Sequence, residues 1–202
     1  MPIEPVYHFT DTCRLPWIIE SGALRPSTNF IGGFPKDFLW ATTDAAGDRT
    51  ASAGGPQQKV YRDGAVQLIR LTLPGDAFGD WREAVARRPE WTDEHVEMLL
   101  GMARRLRVDE RKWRCRVDPL PMSAVMAAHA KSYRGGRWVP IEATREYCFR
   151  PFEGDDDLRG FVINGQAYCA RRYSSESGAT GYTDLMLMGV TRDGEGGLGT
   201  IH

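Results

Sequence analysis

The chain predicts an α+β fold on three observations: alternating β-rich segments at both ends, one strongly helical stretch in the middle, and an Asn-Gly pair between two strand-like runs near the C-terminus. The implied order is β-α-β-β, then helices, then mostly β. At 202 residues, with 42% hydrophobic side chains and a formal net charge of -1, it reads as a single domain, 1–202, able to bury an adequate core, with a flexible tail from about residue 192.

The elements follow in order. "PVYHFT" alternates and predicts a strand from Val6 to Thr10, with Tyr7 and Phe9 on one face and His8 on the other. A helix from Leu15 to Ser21 has Pro16 in its first turn and Gly22 where a left-handed C-terminal cap belongs. "FLWATT", Phe38 to Thr43, predicts a second strand. The Gly-rich "DAAGDRTASAGGPQQK" predicts a long mobile loop, and "AVQLIRLTLP" is the clearest strand, covered on both faces. In "PEWTDEHVEMLLGMARRLR", Thr92 is the N-cap, Asp93 and Glu94 suit the helix dipole, and Trp91 with Val96 forms a hydrophobic staple. A second short helix is expected from Ser123 to His129, and "RWVPIEATREYCFRPF" returns to β character, with Glu146 expected in a strand between Arg145 and Tyr147. Asn164-Gly165 predicts a hairpin from Gly160 to Tyr173, followed by a strand in "TDLMLMGVT".

Several function classes are excluded or left without support. The apolar stretches are short, and Met1 is followed by Pro and Glu, so neither a signal peptide nor a membrane span is expected and a cytoplasmic location is the default. Cys13, Cys115, Cys148 and Cys169 are too widely spaced for a zinc site or a disulfide framework and read as reduced thiols. No zinc-peptidase, serine-hydrolase or P-loop pattern occurs. The acidic run Glu153 to Asp157 lacks the spaced ligands of a calcium loop and reads as an exposed turn, with no metal assigned.

Of the four histidines, His95, His129 and His202 read as structural or incidental, whereas His8 is either a ligand-binding group or a core-edge histidine bonded to backbone. Its surroundings decide the emphasis. A strand "YHFT", a helix start "LPWII", a helix end "SGALRP" and a later strand "FLWAT" together resemble the N-terminal part of the ADP-ribosyltransferase fold. They are similar to DarT-type toxins that modify DNA and to phage and bacterial proteins with a comparable first strand. The resemblance covers mainly the first fifty residues, with a further match near Glu146.

That resemblance implies an ADP-ribosyltransferase-like split β-sheet with flanking helices, holding NAD in the cleft of the split. It implies that His8 bonds a ribose hydroxyl, with Thr10 as a nearby polar contact. It places Trp40 against the nicotinamide ring, with Phe38 behind it. Arg49 would reach a phosphate. Glu146, with Glu142 as the alternate, would be the late acid that favours the oxocarbenium-like state formed as nicotinamide leaves. The activity would be mono-ADP-ribosyl transfer to a macromolecular acceptor, nucleic acid included.

A second reading comes from charge. Arg104, Arg105, Arg107, Arg111, Lys112, Arg114 and Arg116 outnumber Asp109 and Glu110, with Trp113 among them, as suits phosphate neutralisation with base stacking. The alternatives are a solvated helix face, or a catalytically silent accessory protein of phage or mobile-element type that binds nucleic acid or protein.

Overall fold

Two strands rich in alternating apolar residues, β1 (Val6–Asp11) and β4 (Leu68–Leu73), pair antiparallel along their full lengths and form the middle of the molecule. The computed structural model describes residues 4–26, 34–35, 38–52, 66–132, 136–150, 154–163, 165–174 and 180–189. Around β1 and β4 gather β3 (Leu39–Thr42), β5 (Gly79–Asp80), β6 (Trp113–Arg116), β8 (Ala127–Lys131) and β9 (Val139–Ile141). The resulting seven-stranded sheet has the order β5-β6-β3-β1-β4-β8-β9. A second, four-stranded sheet runs β10-β11-β12-β13, from β10 (Cys148–Phe149), β11 (Leu158–Ile163), β12 (Gln166–Ser174) and β13 (Thr180–Gly189). Two short strands, β2 (Ala23–Leu24) and β7 (Leu120–Pro121), pair beside them. Among the described residues all the pairings are antiparallel, and the architecture is α+β.

Strand alternation gives the large sheet two different faces. One carries Val6, Leu39, Ala41, Ile69, Leu71, Leu73, Ala128 and Ala130, and packs on Leu15 and Ile19 and on Phe161, Ile163 and Tyr168 of the second sheet. One aliphatic core thus spans both sheets. The other face, over β3 and β6, carries Trp40, Trp113 and Cys115. It is covered by Trp81 and Val85 of α3 (Trp81–Ala86), by Leu99 and Ala103 of α4 (Asp93–Leu106), and by Phe38 and Trp91.

Two helices start and stop where the sequence says. The first helix, α1 (Leu15–Ser21), has Pro at its start and ends at Gly22 with φ +71°, a conformation glycine adopts without Cβ strain. It has no side-chain N-cap; Asp11 instead accepts from the N–H groups of Cys13 and Arg14. The longest helix, α4, is capped by Thr92 in a box closed by the His95 ring instead of the usual Glu or Gln. Its acids lie in the first turn and Arg104 and Arg105 in the last. The β11–β12 hairpin closes between Ile163 and Gln166, with Gly165 at φ +77°. Asn164 lies outside the described residues.

Three expectations are corrected. Residues 123–129 are not a helix: a 3-10 turn, Met122–Ala124, leads into β8, which pairs along β4. Met and Ala are good helix formers, but intrinsic propensity is a weak determinant, and burial of Ala128 and Ala130 against the strongest strand overrides it. The β character expected from residue 137 on is kept in two short strands, but Glu146, expected in a strand, is not in one. β9 ends the first sheet and β10 begins the edge of the second, so the chain must change sheets between them; it does so through a 3-10 turn, Arg145–Tyr147. The expected loop after β3 holds a short helix, α2 (Arg49–Ser52). The part of that loop from residue 53 on, and the tail from 192, lie outside the described residues.

Ion pairs fasten the layers. Arg159, only 6% exposed, pairs with Glu20 of α1, its Nη2 2.9 Å from Oε1. The guanidinium carbons of Arg159 and Arg172 lie 4.5 and 4.3 Å from the Trp17 ring centroid. Phe161, fully buried where the layers meet, is the side chain whose loss should cost most. Phe161→Ala is expected to lower the unfolding free energy by about 3–5 kcal/mol, read from the urea midpoint at unchanged m-value. A loss below about 1 kcal/mol would mean that the two sheets do not share a core.

Candidate functional site

The large sheet is opened at one seam. β1 pairs β4 over six register positions and β3 pairs β6 over four, but β1 and β3 meet at one, Tyr7 opposite Thr42. His8 occupies the seam beyond that position: its Nδ1 is 2.8 Å from the carbonyl oxygen of Trp40. A carbonyl can only accept, so Nδ1 carries the proton and donates, and the neutral ring presents Nε2 as an acceptor. The residue is half-buried by surface area, yet its ring is deep enough that burial pushes the imidazole below its ordinary value. The Trp40 carbonyl opposes that shift only in part. The backbone bond is what a core-edge histidine would make; the neutral Nε2 is what hydroxyl recognition needs.

The other residues singled out from sequence separate. Thr10 shares the His8 face of β1 and is buried. The ring of Trp40 projects to the opposite face, because Trp40 and Thr42 share the side of Tyr7. There it packs among Phe38, Trp81, Trp91 and Trp113, with centroids 5.6–6.4 Å away. Trp40 therefore contributes its carbonyl to the His8 seam and its ring to the aromatic core. Arg49 is exposed at the first position of α2, which lies against β1.

Glu146 sits on the 3-10 turn between the two sheets, so strand alternation with Glu142 does not apply. It is exposed, while its neighbours Tyr147 and Cys148 pack on the aliphatic core that also underlies the His8 face. Glu142 is exposed as well and accepts from the Tyr147 hydroxyl at 3.2 Å.

Most of the basic segment is engaged by other groups of the fold. Arg104 pairs with Glu97, Arg111 with Asp109 and Lys112 with Asp44. Arg114 donates to the carbonyls of Arg111 and Trp113, and Arg116 to those of Ala77, Asp118 and Pro119. Arg105 and Arg107 are exposed. Trp113 is 5% exposed and donates its indole N–H to buried Asp48 at 2.7 Å, so its ring is not offered to a base. The acidic run is likewise engaged by arginines: Asp155 with Arg171, Asp156 with Arg150, Asp157 with Arg172. Among the described residues no cluster of metal-ligating side chains occurs, and no helix is long and apolar enough to cross a membrane.

One group of residues escaped the sequence reading. Arg70 in β4 faces the Tyr7 side of the sheet, directly opposite Phe9 on one neighbour and His129 on the other. Its guanidinium carbon lies 4.7 Å from the Trp138 ring centroid and 5.5 Å from that of Tyr7, and Lys131 Nζ lies 5.5 Å from Trp138. An arginine inside an otherwise apolar strand was the available signal. Its cross-strand partner His129 was hidden by the expectation of a helix there.

The chain matches no protein-family model, no curated protein and no solved structure.

Burial holds both His8 and His129 below the ordinary value of 6.5. The unfolded chain therefore protonates first on acidification, and stability, fully present above about pH 6.5, falls as the pH drops towards the folded-state values. Denaturation measured between about pH 7.5 and 5 should show this loss, with a shallower slope in His8→Gln. Identical slopes in the two proteins would show that His8 is not held neutral by the fold.

Proposed function

We propose that this domain is a mono-ADP-ribosyltransferase-like protein that binds NAD at the opened seam of a split sheet and transfers ADP-ribose to a macromolecular acceptor. The observation that carries the reading is the seam itself: β1 and β3 keep one register position, and His8 stands in the gap with its Nδ1 on the Trp40 carbonyl. The donor set suits a nucleotide ribose. A neutral imidazole whose Nδ1–H is already fixed can accept a hydroxyl proton at Nε2 and does so in one orientation only.

Bound NAD would supply the reacting centre, where the bond between ribose C1′ and nicotinamide breaks and an acceptor nucleophile takes C1′ while losing its proton. The chain's own part is to hold and to polarise. His8 anchors the ribose, and its depressed basicity keeps it an acceptor at neutral pH. Thr10, on the same face, lies one strand-repeat further along. Trp40 orients His8 through its carbonyl. Arg49, exposed on α2, is the cation assigned to a phosphate. The carboxylate of Glu146, beside the core that underlies His8, is assigned to the positive charge that develops as nicotinamide departs, with Glu142 as the alternate. Nucleic acid is the acceptor class that the resemblance to DNA-modifying toxins suggests.

Calorimetry with NAD, with nicotinamide release followed in the same samples, tests the assignment. Saturable binding is expected, weakened about tenfold or more in His8→Ala, the cost of one buried hydrogen bond. Release should vanish in Glu146→Gln and persist in Glu142→Gln. Binding without release in the wild-type protein would make it a catalytically silent NAD binder. Absence of binding at millimolar NAD would remove the reading.

A further inference from the structure

Cations among the described residues are mostly spoken for, and against that background the Tyr7 face of the large sheet stands out. Arg70 and His129 are directly opposed residues on neighbouring strands, a placement that brings their Cβ atoms to about 5 Å. Arg70 spends its Nη1 on the carbonyl of Ala45 at 2.6 Å and its flat face on Trp138 and Tyr7. Its Nε is buried and, among the described residues, has no hydrogen-bond partner; the same is true of His129 Nδ1. Lys131, two residues along the same strand, points to the same face and forms no ion pair among the described residues. The acid nearest in register, Asp11, opposes Leu68 and Lys131 across the sheet but is occupied by Arg14 and by two backbone N–H groups.

We propose that Arg70, His129 and Lys131, with Trp138 as a roof, bind the phosphate group of a ligand. A guanidinium stacked on an indole keeps its in-plane N–H edge for hydrogen bonding, and a tetrahedral oxyanion is the partner that edge fits best. An oxygen placed between Arg70 Nε and His129 Nδ1 would satisfy both nitrogens at once, with Lys131 supplying a second positive charge. Trp138 lies in the segment leading into edge strand β9, where a ring can lift without disturbing the central strands. His129 reports on the event: burial first, and then the charge of Arg70, hold its imidazole below the ordinary value. The groups facing it are Arg70 from β4, Pro140 from β9 and Lys131 from its own strand. An arriving anion reverses that balance, so binding should take up a proton. The site is separate from the seam proposed for NAD, because Arg70 and His8 face opposite sides of the sheet.

The phosphate could belong to a free small molecule or to a nucleic-acid backbone, and two probes distinguish these. Pyrophosphate and a single-stranded oligothymidylate are titrated calorimetrically into wild-type protein, Lys131→Ala and His129→Asn, at pH near 7 in two buffers of different ionisation enthalpy. The expected result is binding of at least one probe, about tenfold weaker in each variant, with proton uptake in the wild type that disappears in His129→Asn. Pyrophosphate binding identifies a small-molecule phosphate; oligonucleotide binding without it identifies a phosphodiester. His8→Ala should bind as the wild type does, which keeps this result independent of the NAD assignment. Failure of both probes, or affinity and proton uptake unchanged in both variants, would overturn the proposal.

Discussion

Everything in the molecule is organised by the need of one sheet to bury two chemically different faces. The β1–β4 ladder runs the full length of both strands, and its alternation sends Val6, Ile69, Leu71 and Leu73 one way and Tyr7, Phe9 and Arg70 the other. The aliphatic side can be covered only by another apolar layer, and α1 with the second sheet provides it. The aromatic side is covered over β3 and β6 by α3 and α4. Over β1, β4 and β8 it carries instead a row of basic and aromatic side chains. A two-faced strand pair therefore dictates the layers, and the layers decide where chemistry can be placed.

Electrostatics then fastens what apolar burial arranges. Arg159 is nearly buried, and it is tolerated there because Glu20 pairs with it and Trp17 stacks on it. Asp48 is buried for a similar reason, accepting from the Trp113 indole and the Thr50 backbone. Each bond ties a loop or helix to a strand, so the loop after β3 is held against the sheet by Lys112, Trp113 and Arg70 together. Because the paired groups satisfy one another, the nitrogens of Arg70 and His129 that have no partner among the described residues become informative. A buried donor without a partner costs about 1–3 kcal/mol, which a fold retains where something else offsets it.

The opened seam between β1 and β3 has the same logic. Removing ladder bonds exposes backbone carbonyls, and one of them, on Trp40, is taken by the His8 ring. That substitution keeps the carbonyl satisfied while holding the imidazole in one tautomer. The aromatic cluster behind Trp40 makes the arrangement rigid, since its ring is wedged among four others.

Local physics was legible in the sequence by itself. It determined α1 with its Gly22 end, the long helix capped by Thr92, the strands β1, β3 and β4, and the hairpin at Gly165, because capping, alternation and turn chemistry act within a few residues. It also placed His8 on the face away from Tyr7 and Phe9. What only the tertiary structure decided was long-range: that residues 127–131 form a strand beside β4, and that Glu146 lies on a turn between sheets. The same holds for the Trp40 ring, which belongs to the core, for Trp113, spent on Asp48, and for the basic run, which is largely paired. The reason is that pairing and burial depend on partners tens of residues away. Ala128 and Ala130 carry no preference strong enough to resist the strand they pack against, and a cation's freedom depends on acids that the chain alone does not reveal as its neighbours.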